Sequence, residues 1–136
     1  SAPAATLATG RREAGVLLEG EVEGTDPAHE LTTVRVGRER LRVAGVSATP
    51  GGRLRLYIAA RDVMLATSRP VEISALNVLE GRILTLTSED DGSVDVRVTC
   101  GDATIAARIT RFSRDVLQLV PGKTVYAVIK SVAIDH

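Results

Sequence analysis

The chain repeats part of itself, and this internal repeat limits its possible folds more than any other feature. Three segments of the first half recur in the second: Leu18-Glu19-Gly20 as Leu79-Glu80-Gly81, Val34-Arg35-Val36 as Val96-Arg97-Val98, and Pro50-Gly51 as Pro121-Gly122. The spacing between the paired segments is 61, 62 and 71 residues, in that order. Because self-similarity at a nearly constant spacing indicates copies of one structural unit, we predict two related units in tandem.

The two copies are unequal in length. The spacing grows by 9, from 62 to 71, so the second copy carries an insertion before its Pro-Gly turn, at residues 110–119. Thr110 is a suitable helix cap, and Pro121-Gly122 would end a helix. Three apolar residues fall on one helical stripe: Phe112, Val116 and Leu119. We therefore predict a short helix in the second copy alone, with an irregular loop as the alternative.

Short segments of alternating polarity, separated by turn residues, indicate strands in both copies. In the first copy these segments are 16–22, 31–36, 41–43, 54–58 and 63–65, of which the last closes the unit. Aromatic residues are only 2% of the chain, so the core must consist of Val, Leu, Ile and Ala, a composition that favours strands. We predict a mostly β protein with two tandem OB-like, five-stranded small barrels and a short helix in the second. The expected boundaries are a tail at 1–13 and units at 14–69 and 70–136.

The composition argues against several classes of function. Seventeen basic and seventeen acidic residues give a net charge of +0, and few aromatics are present, which disfavours nucleic-acid binding. Cys100 is the one cysteine, so no internal disulfide can form, as is typical of a reducing compartment. No apolar run is long enough to span a membrane, and we expect residues 1–10 not to be a signal peptide because they contain no hydrophobic stretch.

No catalytic constellation is evident. The chain lacks the Gly-x4-Gly-Lys phosphate-loop motif, and neither His29 nor His136 has a companion suited to catalysis or metal binding. The acidic run Glu89-Asp90-Asp91 precedes a glycine, which favours a solvated turn over a cation site. We expect this part of the protein not to be an enzyme and to hold no metal cation.

The second copy resembles a known family over almost its whole length. Its motifs are Ser74-Ala75-Leu76-Asn77 followed by Leu79 and Gly81, then Ile109-Thr110 with Ser113, then Leu119 with Gly122, and finally Val125, Ala127 and Ile129-Lys130-Ser131. This order and spacing resembles the molybdenum-binding Mop domain, also called the transport-associated OB (TOBE) domain. The first copy is similar to a degenerate unit of the same type. The tandem resembles the C-terminal region of the ATP-binding subunit of molybdate ABC importers.

The resemblance implies a site for molybdate or tungstate, with contacts often shared between subunits. The matching positions are Ser74, Ala75, Thr110, Ser113, Lys130 and Ser131. The chemistry is consistent, because a tetrahedral dianion requires hydroxyl and N–H donors and a positive charge, without carboxylates. Each residue also has an ordinary explanation: a helix cap for Thr110 and Ser113, a surface lysine for Lys130, and a turn for Ser131.

The chain departs from the family pattern in two places. Leu76 replaces the family's arginine, and the loss of a guanidinium removes a bidentate donor. Arg111 is the favoured substitute, with Arg108 and Arg114 as alternatives. In the first copy, Ala59-Ala60 stands where Lys130-Ser131 stands in the second. We therefore expect at most one kind of complete site per chain, shared between chains.

The resemblance implies a regulatory domain that senses cytoplasmic oxyanion and modulates import. It would lie at the inner membrane through a transporter complex, as a homodimer, with permease and ATPase domains as partners. Two alternatives remain open: a dimerisation module of the same subunit that has lost its ligand, and a freestanding molybdate-storage protein of the molbindin type.

Overall fold

A computed structural model describes residues 14–45 and 49–135. The first half contains β1 (Gly15–Asp26), β2 (Leu31–Val36), β3 (Glu39–Ala44), β4 (Arg53–Ala59), a 3-10 helix (Ala60–Asp62) and β5 (Val63–Ala66). The second half contains β6 (Asn77–Ser88), β7 (Ser93–Cys100), β8 (Ala103–Thr110), α1 (Arg111–Val116), β9 (Thr124–Ile129) and β10 (Ala133–Asp135). The predicted mostly β fold, with a short helix in the second copy, is confirmed.

The strands form two antiparallel five-stranded sheets that exchange edge strands. The first sheet has the order β10-β4-β1-β2-β3, and the second has the order β5-β9-β6-β7-β8. Met64 of β5 pairs with Val128 of β9, and Ile134 of β10 pairs with Leu56 of β4. The expectation that residues 63–65 close the first unit is therefore wrong, because β10 occupies that edge of the first sheet. The division into units 14–69 and 70–136 stays a prediction.

The two sheets enclose one continuous apolar core. Val34 and Leu56 of the first sheet and Val98 and Ile105 of the second are fully buried in the same cluster. A unit of about 60 residues that folds alone buries a smaller fraction of its surface than a larger domain does. Sharing one core allows both halves to bury their apolar sheet faces.

The repeated Leu-Glu-Gly segment marks a place where two strands approach closely. A Cβ added to Gly20 would lie 2.5 Å from Cγ1 of Val34, and one added to Gly81 would lie 2.5 Å from the backbone oxygen of Thr99. Both distances are shorter than any normal contact, so neither position accommodates a side chain. A β-bulge follows each glycine by a few residues and increases the local twist of β1 and β6.

Helix α1 begins as its sequence predicts but does not bury the predicted stripe. Oγ1 of Thr110 accepts a hydrogen bond from the backbone N–H of Ser113 at 3.0 Å, which caps the helix. Leu119 is buried, whereas Phe112 is 76% exposed and Val116 is 61% exposed. The stripe is lost because α1 is only six residues long and Gln118 turns the backbone with a φ of 53°. Leu119 therefore reaches the core from outside the helix.

Candidate functional site

Besides the exchanged edge strands, the two halves of the chain meet at two junctions that bear on the candidate site. At one junction, β3 of the first half lies against β6 of the second; at the other, β8 lies against the 3-10 helix. The first junction is fixed by Asn77, which is only 6% exposed. Its Oδ1 accepts from the backbone N–H of Arg42 at 2.8 Å, and its Nδ2 donates to the backbone oxygen of Arg42 at 2.9 Å. This amide satisfies backbone groups on the outer edge of β3 that no neighbouring strand pairs with.

The first junction contains a depression of about 230 Å³, which we name the strand-end depression. Its lining residues are Arg42, Ala44, Ser74, Leu76, Asn77, Ile129, Lys130, Ser131 and Val132. Asn77 and Ile129 are paired across β6 and β9, so the residues before β6 and after β9 lie at the same end of the sheet. This antiparallel pairing brings three of the predicted residues together: Ser74, Lys130 and Ser131.

The strand-end depression is lined by positive charge without carboxylates. Arg42 and Lys130 both line it, and within residues 14–45 and 49–135 neither has an ion-pair partner. A depression elsewhere on the first sheet is different, because its two arginines lie beside Glu19 and Asp135. The strand-end depression therefore has a positive charge that favours an anion, whereas the charges of the other depression balance each other.

The two lysines of the chain have different surroundings. Nζ of Lys123 donates to the backbone oxygens of Leu117 at 2.7 Å and Gln118 at 3.3 Å, and so satisfies carbonyl groups after helix α1. Lys130 has no such structural contact among the described residues and is exposed at the depression. Its ammonium group is available for a ligand.

The second junction contains a depression of about 300 Å³, which we name the helix-start depression. Its lining residues are Arg61, Val63, Met64, Leu65, Arg108, Ile109, Thr110, Ser113 and Leu117. Thr110 and Ser113 lie here, and their hydroxyl oxygens are 3.1 Å apart. The helix-capping role expected for Thr110 is thus present in the structure. Arg108 supplies a positive charge beside these hydroxyls, and no carboxylate belongs to the lining.

A larger depression of about 550 Å³ lies along β5 between the other two, and we name it the β5 depression. It shares Ser74 and Lys130 with the strand-end depression and Arg61 with the helix-start depression, and Ala75 also lines it. Asp62 adds a carboxylate that the sequence did not lead us to expect. The six predicted residues therefore line three adjoining depressions, none of which holds both Lys130 and Thr110.

The arginines proposed to replace the family's arginine are dispersed. Arg111 donates through Nη2 to the backbone oxygen of Glu89 at 3.0 Å and lines none of the three depressions. Arg114 is bonded to Asp115 and Ser88, whereas Arg108 lies in the helix-start depression. Leu76 itself is 47% exposed in the strand-end depression.

The sequence did not point to Arg42 as a residue of this region, and it named Asn77 only as the last residue of the motif that begins at Ser74. Asn77 is the single asparagine of the chain, and the first copy has Val16 at the corresponding position. A polar residue at an otherwise apolar strand position is usually paired when buried, but nothing in the sequence names its partner. Arg42 fits the pattern of an ordinary outward-facing residue in a strand of alternating polarity.

The Cys100 thiol and the Asp91 carboxyl, two other groups with chemical reactivity, are accounted for by burial and by local hydrogen bonds. Burial raises the pKa of the Cys100 thiol to about 12, with a smaller contribution from Glu39, so this side chain stays neutral near pH 7. Asp91 accepts from the Ser93 hydroxyl at 2.6 Å and the Ser93 N–H at 3.0 Å, and these bonds lower the pKa of its carboxyl. Across the described ranges, no three His, Cys, Asp or Glu residues are grouped as a metal site, and no helix is long and apolar enough to cross a membrane.

Comparison with known proteins agrees with this architecture. Residues 73–135 match the TOBE domain family. This match covers the second half of the chain. Its boundaries include β6 to β10 together with Ser74, Thr110 and Lys130, so all three depressions are lined in part by the TOBE domain.

The whole chain, including the half before the TOBE match, has close relatives. It is 60% identical over 134 residues to the molybdenum import ATP-binding protein ModC of Rhizobium meliloti (strain 1021), covering 98% of this chain and 38% of that protein. It is 48% identical over 123 residues to ModC 2 of Azotobacter vinelandii, covering 90% of this chain and 34% of that protein. The chain thus spans little more than a third of these relatives, and it corresponds to their C-terminal part.

A solved structure has the same fold. The cytoplasmic molybdate-binding protein ModG, crystallised with molybdate bound, superposes with a TM-score of 0.78. The match covers 92% of this chain and 99% of that chain at 20% identity. The fold predicted from the repeat, with two related β units in tandem, is therefore confirmed by an independent structure.

Proposed function

We propose that this chain is the regulatory part of the ATP-binding subunit of an oxyanion importer, and that it binds molybdate or tungstate on the cytoplasmic side of the inner membrane. The permease and the ATPase domains of that transporter would be its partners. The ligand is the oxyanion itself, so the proposal requires no metal cation and no catalysis by these residues. The names of the relatives support molybdate as the first ligand to test.

The observation that carries this proposal is the chemistry of the strand-end depression. Ser74 and Ser131 offer hydroxyl donors and Lys130 offers a compact positive charge, with no carboxylate in the lining. Hydrogen bonds to a charged group are about twice as strong as neutral ones, so a dianion gains more from this donor set than a neutral solute does.

The division of the donors supports a site that two chains complete together. Within one chain, Lys130 and the Thr110–Ser113 pair line separate depressions on either side of β5. A second copy could place its helix-start residues against the strand-end residues of the first, which would gather both sets around one ligand. A ligand held between two chains binds one arrangement of the pair better than others, and this difference is what allows it to regulate.

The proposal is tested by titrating the chain with molybdate, tungstate and, as a control, sulfate. We expect heat of binding in calorimetry and an increase in thermal stability for the first two anions. At a concentration 100 times Kd, ligand binding stabilises the folded state by about 2.7 kcal/mol. Absence of both heat and a thermal shift at millimolar molybdate would contradict the proposal.

A second candidate function, self-association without ligand, is supported by exposed apolar residues. Phe112 and Val116 of α1 project into solvent, and Met64 of β5 is 63% exposed beside the helix-start depression. Exposed apolar side chains gathered on one surface are typical of protein contact sites. The partner we propose is a second copy of this chain.

Sedimentation velocity distinguishes the two functions. If self-association is the main role, the chain forms a dimer to the same extent with and without molybdate. The double variant Phe112→Ser/Val116→Ser should then be monomeric, while Leu84→Ser, which removes an exposed apolar residue from β6, should still dimerise. A wild-type chain that is monomeric without molybdate and dimeric with it favours the oxyanion-dependent role instead.

A further inference from the structure

Arg42 lies in the strand-end depression although it belongs to the other half of the chain. It is on β3, an edge strand of the first sheet, whereas Ser74, Lys130 and Ser131 belong to the second half. The Asn77 amide holds both backbone polar groups of Arg42, so the point from which its side chain leaves the strand is fixed. A ligand at this junction therefore meets the guanidinium of Arg42. The backbone of Arg42 is anchored to β6, the strand that follows Ser74.

The charge of Arg42 is not used elsewhere in the described structure. Its neighbours on the same sheet are paired: Arg35 with Glu21 at 2.8 Å and Arg40 with Glu23 at 2.8 Å. Arg42 has no such partner among the described residues, and the depression it lines contains no acidic residue. An arginine left unpaired beside an unpaired lysine is repelled by it unless an anion lies between them.

The internal repeat provides a second, independent observation. Arg42 pairs with Thr33, which immediately precedes Val34-Arg35-Val36, and Arg108 pairs with Asp95, which immediately precedes the repeated Val96-Arg97-Val98. Arg42 and Arg108 are therefore equivalent residues of the two copies. Each lines the depression at its own junction, together with two hydroxyl-bearing residues. An arginine at equivalent positions of the repeat thus lines the depression at each junction, beside hydroxyl-bearing residues from different parts of the second copy.

We propose that Arg42 is an oxyanion-binding residue that supplies the second positive charge of the strand-end site. This inference rests on the proposed function, and it adds a binding residue from the first half of the chain to the donors of the TOBE domain. A guanidinium can donate two parallel hydrogen bonds to two oxygens of one tetrahedral anion, which a lysine cannot do. Binding of the anion would also join the two halves of the chain.

The test is calorimetric titration with molybdate of the wild-type chain and five variants, one of which is Lys130→Ala. Arg42→Ala should weaken binding by roughly 10- to 100-fold, as expected for removal of a charged bidentate donor. Arg42→Lys should recover part of that loss, because the charge returns without the planar fork. Leu76 lines the same depression, so Leu76→Arg in the Arg42→Ala background should restore binding by returning a guanidinium to that depression. Arg53→Ala is the matched control, since it removes an arginine from a depression that contains carboxylates.

The outcomes separate this inference from the proposed function. If Arg42→Ala binds molybdate like the wild type while Lys130→Ala does not, Arg42 is not a ligand and the oxyanion site stands without it. If Arg53→Ala weakens binding as much as Arg42→Ala, the effect is one of general charge and the inference is wrong. If the wild type binds no oxyanion, both the inference and the proposed function fail. Thermal melting of each variant shows that it is folded, and should Arg42→Ala not fold, the comparison of Arg42→Lys with the wild type decides.

Discussion

Replacing Asn77 with alanine is expected to destabilise the chain by about 2 to 4 kcal/mol, because two hydrogen bonds are lost and the backbone groups of Arg42 remain unpaired at a partly buried junction. The free energy of unfolding is measured by urea denaturation, and its slope with urea concentration reports whether unfolding stays cooperative. Thr85→Ala, an exposed substitution on the same strand, should change stability by less than about 0.5 kcal/mol.

The variant Asn77→Asp separates the hydrogen bonds from simple packing. The introduced carboxylate has nearly the same shape, but its second oxygen would face the backbone oxygen of Arg42 instead of donating to it. Burial disfavours the charged form, so the pKa of this carboxyl should be raised in the folded state. Stability should therefore be poor at neutral pH and should recover as the pH falls through the raised pKa, when the carboxyl becomes a donor. A loss that is independent of pH would assign the effect of Asn77 to packing alone.

Local features of the fold follow from the sequence because local chemistry determines them. The helix cap at Thr110 requires only a hydroxyl followed by a suitable N–H three residues later, and the insertion that contains it is visible in the spacing of the repeat. The acidic run before Gly92 forms a turn for the same reason, since Asp91 and Ser93 are near neighbours. Such contacts span a few residues and leave a pattern in the sequence.

The exchange of edge strands leaves no such pattern. β5 and β10 have similar lengths and positions in the two copies, and either could have paired within its own half. Whether β5 pairs with β4 or with β9 depends on which edge is occupied in three dimensions, and alternation of polarity is satisfied in both cases. The exposure of Phe112 and Val116 has a similar cause. Their spacing predicts an apolar stripe, but helix α1 is only six residues long and lies at the edge of the fold, where no other described part of the chain covers that stripe.

The sequence predicts a set of candidate site residues but not their arrangement in space. Ser74, Lys130 and Ser131 are brought together because β6 and β9 are antiparallel neighbours, a pairing that the sequence suggests only indirectly. Arg42 comes to the same place through a contact between halves, over a sequence separation of 88 residues from Lys130 (130 − 42). The sequence suggests Arg111, in the second copy, as a substitute for the arginine replaced by Leu76, whereas the structure places Arg42, from the first copy, in the same depression as Leu76.

Replacing Lys130 with alanine is expected to weaken molybdate binding by roughly 10- to 100-fold, the effect of removing a hydrogen bond between charged partners. The fold should be unaffected, because the exposed Lys130 side chain has no structural partner in the described part of the chain. Calorimetric titration measures the affinity, and Arg53→Ala controls for the change in net charge. The effect should shrink at high ionic strength, since salt screens exposed charges. Unchanged affinity would exclude the strand-end depression as the site.

Mixing two defective variants decides whether two chains share the site. Ser113→Ala removes a hydroxyl from the helix-start depression but keeps the cap, because the Ser113 backbone N–H still donates to Thr110. If Lys130 of one chain and Ser113 of another contact the same anion, a mixed dimer of Lys130→Ala and Ser113→Ala chains contains one site with both residues intact. High-affinity binding should then reappear on mixing, at about a quarter of the wild-type number of sites if chains pair at random and each dimer has two. If each chain binds with its own residues, the mixture will bind no better than the average of its components, and Ser113→Ala alone will leave the affinity of the Lys130 site unchanged. The first result would explain how a chain with one intact copy and one degenerate copy can still form a complete site.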